Sequence, residues 1–190
     1  MKLSLLGVAL LFPAVTGPVW GDDAPFPVRA SMASDRLTAT LGKRLQETVR
    51  QQGVAAAFNT CSRDAQELTR NIGEEQGVII RRTSLRVRNP ANRPDPVERQ
   101  ILEQLEAMHR MKKLPQELSL PASYGAPSPR YFRPIIVQAP CLHCHGPVDR
   151  LTSQVRKLLH DRYPEDRATG YQIGDLRGVI SVTLIQGKVH

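Results

Sequence analysis

The sequence predicts an α+β domain in which N-terminal helices pack against an antiparallel sheet. Three observations carry that expectation. Apolar residues recur at helical spacing through residues 34–72, strand-like alternation is concentrated later in the chain, and no βαβ pattern calls for a parallel sheet. Of 190 residues, Met1–Gly21 read as a leader, and the 169 left after those 21 suffice for one core but not for two. A single domain over residues 22–190 is therefore expected. With 41% hydrophobic and 23% charged residues and no low-complexity tract, the composition excludes a disordered tail, a fibre and a polytopic membrane protein.

Asp22–Ala30 is rich in proline and reads as an extended lead-in. From Ser34 or Asp35, either a suitable N-cap, Leu37, Leu41, Leu45 and Val49 recur every four residues as the stripe of an amphipathic helix. Gly53 interrupts it, and a second helix follows over 54–72 with Phe58, Cys61, Ala65 and Leu68 on one side and Gly73 and Gly77 closing it. Val78-Ile79-Ile80, then Thr83, Leu85 and Val87, predict a strand. Residues 89–96 hold three prolines and make a turn-rich connection. Asp95, Pro96 and Glu98 supply an N-cap, an N1 proline and an N3 acid for a third helix with the stripe Val97, Ile101, Leu105 and Met108. A short strand at 117–120 and a proline-bearing strand at 131–137, edge or bulged, come next. Pro147 opens a helix with Val148, Leu151, Val155 and Leu158 on one face. The tail predicts a hairpin, 169–173 and 176–185 about a Gly174-Asp175 turn. The helices are expected on one side of the sheet.

The leader starts with Lys2, continues through a short apolar run to Val15 and ends in small residues before Asp22-Asp23, the pattern of a secretory signal peptide cleaved near Gly21. An uncleaved anchor is the alternative, although the run is shorter than the ~20 residues that span a bilayer. The expected location is the periplasm or another exported compartment. An exported chain with three cysteines, Cys61, Cys141 and Cys144, cannot pair all of them internally.

Cys141-Leu142-His143-Cys144-His145 contains Cys-x-x-Cys-His. Haem c needs two thiols spaced to reach its two vinyl groups and a histidine beside the second thiol to bind iron, which assigns thioethers to Cys141 and Cys144 and axial ligation to His145. A redox disulfide would want a βαβ context and a zinc site a second ligand pair, and neither is present. His143 is expected to point away from the iron. For the other axial position the residues leave several candidates open: Cys61, His109, His143, His160, His190 and the three methionines after the leader. Arg81, Arg82, Arg86 and Arg88 cluster near a turn, and guanidinium suits the haem propionates, with Arg82 and Arg86 taken as contacts; a solvated strand face is the alternative.

Several segments together resemble a family of mono-haem c-type domains with a PAS-like fold, found alone or in bacterial sensor proteins. They are Asn59-Thr60-Cys61, Arg82–Asn92 with Pro94-Asp95, Tyr131–Pro134, Cys141–Gly146 and Gly170–Val182, nearly the whole mature chain. The resemblance implies one covalent haem c on a PAS-like antiparallel sheet, with His145 and Cys61 as axial ligands. One departure is that Pro96-Val97 precedes Glu98, where the family often has an acid and an aromatic residue directly after Pro-Asp.

Three function classes follow. A redox or diatomic-gas sensor would exploit a thiolate ligand that weakens on reduction. A soluble electron carrier, with His/Cys, His/Met or His/His ligation, would offer a basic rim to an acidic redox or signalling partner. The formal charge of +8 suits such a partner, whereas the aromatic–basic patterning of a nucleic-acid surface is missing. A peroxidase-type enzyme would need a distal acid–base group that the sequence does not supply, so a non-enzymatic role is expected. No kinase segment or spanning helix is read after the leader, so sensing would have to be reported through a separate partner, which helps the carrier reading while sensing and electron transfer both stay open.

Overall fold

The computed structural model describes residues 24–123 and 126–185. The leader through Gly21 and His190 lie outside the described residues. The elements are α1 (Phe26–Gln52), α2 (Val54–Glu75), β1 (Val78–Thr83), α3 (Pro96–Arg110), β2 (Leu118–Leu120), β3 (Arg130–Ile136), the one-turn α4 (Leu142–His145), α5 (Ser153–Arg162) and β4 (Leu176–Leu184). The strands form one antiparallel sheet in the order β1-β4-β3-β2. The α+β class with N-terminal helices is as expected. No helix among the described residues is long and apolar enough to cross a membrane.

Residues 26–30, expected to belong to an extended lead-in, are helical, and α1 starts eight residues before the expected N-cap at Ser34. Pro25 is the N-cap and Pro27 sits in the first turn, where its missing N–H has no partner to lose. The added turns bury Ala30 and Ala33 completely. Gly73 does not end α2. A Cβ there would lie 2.7 Å from Val78 O, so the glycine lets the helix return closely onto β1.

Alternation along the strands splits the core in two. Tyr131, Ile180 and Val182 face α1 and α2 with Leu37 and Ile72. Phe132, Leu176 and Val179 face the other way, onto Ile101, Leu102 and Leu105 of α3. Helices therefore cover both faces of the sheet and not one. The α3 start is as the sequence predicts: Asp95 accepts from Glu98 N at 2.8 Å and Glu98 accepts from Asp95 N at 2.9 Å.

β3 is internal and not an edge strand, but β2 covers only Arg130–Phe132, so Pro134 lies where that flank is open. A register shift at Ile135/Ile136 marks the expected bulge. The predicted terminal hairpin does not form. β4 pairs with β1 and β3, and residues 169–173 are loop. The helix expected from Pro147 is a 3-10 turn at Val148–Arg150, followed by α5 capped by Thr152 and burying Val155 and Leu159.

Candidate functional site

A cavity of about 350 Å³ lies between α1, α2, the sheet and the 140–145 turn. That is within the range of small-molecule and cofactor sites. The leucine stripe of α1 explains why it is apolar. Leu37 is fully buried in the sheet core with the half-buried Leu41 packed against it, Leu45 and Val49 continue the stripe half-buried, and all four line the cavity. Val54, Ala57 and Phe58 of α2 extend the same wall. An apolar stripe facing space and not protein is a surface shaped for an apolar group of its own.

Pro140, Cys141, Cys144 and His145 line the cavity as well, and Cys144, like Val54, packs against the Phe58 cluster. Ala139–Cys141 and α4 wind the five motif residues into about one turn, which brings both thiols and the histidine to the same cavity. The loop that was expected to be a strand explains why this turn stays put: Gly170 N donates to Gly146 O at 2.8 Å and Tyr171 N to His145 O at 2.9 Å. Its backbone donors hold the motif instead of a ladder.

His145 Nδ1 lies 2.7 Å from Ala168 O. A carbonyl only accepts, so Nδ1 carries the proton and Nε2 the lone pair. Burial, with the Arg177 and Arg88 guanidinium groups adding to it, holds the imidazole well below its usual range, against the pull of the Ala168 carbonyl. It is neutral at pH 7, the form that ligates a metal. The ring of Tyr171 stands edge-on to it, centroids 6.2 Å apart.

The arginines divide. Arg82 and Arg88 line the cavity, as does Arg177, which sequence reasoning missed. Arg177 follows the turn at 174–175, and only the folded sheet brings it to the motif. Arg86, expected at the same site, is placed elsewhere: Nε donates to Arg167 O at 3.0 Å, a second nitrogen bonds Thr169 O, and the guanidinium stacks 4.0 Å over Tyr171. Arg81 pairs with the fully buried Glu98 at 3.1 Å.

The structure also sorts the candidate axial ligands. His109 contacts Gly174 O at 2.8 Å, Met108 packs in the α3 core, Met111 is 59% exposed, and His160 is exposed on α5. His143 is exposed and reaches the cavity at its rim. Cys61 lies on α2, and its side chain lies outside what the structure describes.

Fold and site together define an α+β domain in which a Cys-x-x-Cys-His turn closes an apolar cavity against a pair of helices. The chain belongs to the Tll0287-like family, whose model matches residues 28–184. Among solved structures it is similar to the cyanobacterial heme-protein Tll0287, with a TM-score of 0.62 and 28% identity, covering 86% of this chain and 94% of that one. No curated protein matches the chain.

Proposed function

We propose that the protein carries one haem c in this cavity and works as an exported one-electron redox protein. Cys141 and Cys144 would hold the group by thioethers, His145 Nε2 and Cys61 would ligate its iron, and Arg82 and Arg177 would meet its propionates. The observation that carries the reading is the His145–Ala168 bond, which leaves Nε2 as the lone-pair nitrogen on a wall shared with both motif cysteines. Second bonds of this kind fix the tautomer and orientation of metal-binding histidines. The half-buried leucine stripe supports an apolar occupant, and the solved relative is a heme-protein. The group supplies a ferric/ferrous couple when bound.

Electron exchange with an acidic partner is the role we favour, because His143 and Val148, 52% exposed, leave the motif side open to solvent. Redox or gas sensing belongs to the same chemistry if the Cys61 ligand is labile on reduction. A denaturing gel stained for haem peroxidase activity tests attachment. Stain at the polypeptide is expected, and haem that extracts into acidified organic solvent would overturn the reading. A redox titration followed by CO addition to the reduced protein then separates a carrier, which keeps both ligands, from a sensor, which takes up CO.

A further inference from the structure

Three distant segments meet behind His145. Arg88 follows β1, Cys144 belongs to the motif turn, and Asp166–Ala168 precede the loop that clamps the motif. Arg88 Nε donates to Asp166 Oδ1 and Nη2 to Asp166 Oδ2, both at 3.1 Å. Their side chains are only 12% and 8% exposed. Nη2 also reaches Cys144 O at 2.6 Å and Ala168 O at 3.2 Å. It has two hydrogens for three acceptors, so the longest contact is a shared one. Asp166 Oδ1 in turn accepts the Ala168 N–H at 2.9 Å. Ala168, whose carbonyl binds His145, is thus held at its N–H by Asp166 and at its oxygen by Arg88, one contact on each of its flanking peptide groups.

We propose that Arg88 and Asp166 are positioning residues for His145, fixing the Ala168 carbonyl so that the imidazole proton stays on Nδ1 and Nε2 remains the ligating atom. The proposal rests on the haem reading above for its purpose, though not for its geometry. Burying an ion pair costs desolvation that neutral side chains would not incur, so stability alone is a weak reason for one here. What the charged pair adds is a rigid planar fork. It grips the carbonyl just before the histidine and the carbonyl the histidine bonds, and a lysine in its place would act as a single point charge.

Arg88→Lys therefore discriminates, since it keeps the charge and loses the fork. A looser Ala168 carbonyl weakens the Nδ1–H bond and makes the imidazole a poorer donor to ferric iron, so the reduction potential rises. A three- to tenfold change in the reduction equilibrium is expected, at most about 59 mV upward for a one-electron couple. An unmoved potential in a variant that still stains for haem overturns the proposal. The second readout needs no haem. In the full chain prepared without it, long-range 1H–15N spectra at neutral pH should show the Nδ1–H tautomer, with the Nε2–H fraction rising at least threefold in Asp166→Asn and in Arg88→Lys. A tautomer ratio unchanged in both variants, or already mixed in the folded parent, also overturns it. If the gel shows no covalent haem, the functional reading falls, and the tautomer experiment still decides this one.

Discussion

Truncating Phe58 to alanine should loosen the helical wall of the cavity by a calculable amount. Phe58 is 3% exposed and packs on Leu151, Val155 and Leu159, joining α2 to α5. Its ring lies 6.1 Å from that of Tyr163, tilted by 59°, and the Arg88 guanidinium sits 5.8 Å from its centroid. Phe→Ala in a core costs roughly 3–5 kcal/mol. The aromatic and cation–π contacts, each worth about 0.5–1 kcal/mol, place this site at ~4 kcal/mol. For a chain of this size each kcal/mol lowers Tm by about 2–4 °C, which gives a drop of ~8–16 °C. Phe58→Leu keeps most of the volume and should lose under ~1.5 kcal/mol. Thermal and urea unfolding of the full chain, followed by circular dichroism, measure both. A loss below about 1 kcal/mol for alanine, or leucine as damaging as alanine, would show that α5 does not brace α2 through this ring.

Other substitutions test separate parts of the structure. In the haem-loaded protein, Cys61→Ser should change the ferric spectrum and raise the potential while the gel stain persists; an unchanged spectrum would send the search to a histidine or methionine. Gly178→Ala places a Cβ 2.2 Å from Thr83 O, so β1 and β4 must part at the cavity floor, costing about 3 kcal/mol by urea unfolding. Burial pushes the Asp95 carboxyl up, but the Arg130 fork at 2.6 and 3.0 Å, the Glu98 N–H and the Arg81 charge together hold it below its usual value. Since the folded value is the lower one, its contribution to stability is present above the unfolded value of about 3.9 and is lost as pH falls through the folded one. Asp95→Asn should then cost under ~1 kcal/mol at pH 7 and flatten the acid limb of urea midpoints measured down to pH 3.

Local signals in the sequence found what local interactions determine. The Asp95–Glu98 capping box needs only four consecutive residues, and both of its bonds are present. The α2 and α3 periodicities and the bulged, proline-bearing β3 were legible for the same reason. The errors fall where distant partners decide. Gly73 reads as a helix stop until β1 is seen to pass 2.7 Å from where its Cβ would be. Thr169–Ile173 alternates like a strand, yet β1 and β3 already occupy both edges of β4, so no ladder position is left for it.

The same division runs through the candidate site. Cys141, Cys144 and His145 were readable because five adjacent residues carry the chemistry, and the α1 leucines because one helix repeats them. Their meaning changed on folding: the stripe lines the cavity from Leu37 to Val49, while Leu37 and Leu41 also pack in the sheet core. The arginines show the converse. Arg82, Arg86 and Arg88 are close neighbours in sequence, but Arg82 and Arg88 line the cavity while Arg86 packs on the loop that clamps the motif. Charge and proximity could nominate the cluster, but only the paths of residues 166–171 and of β4 assign each guanidinium its partner. Arg177 is the limiting case. It lies thirty-two residues from His145, has no local motif, and still adds to the field that keeps that imidazole neutral. A neutral, oriented histidine is therefore a property of three folded segments around a local motif, and substitutions at Arg88, Asp166 and Arg177 should move it while leaving the motif itself intact.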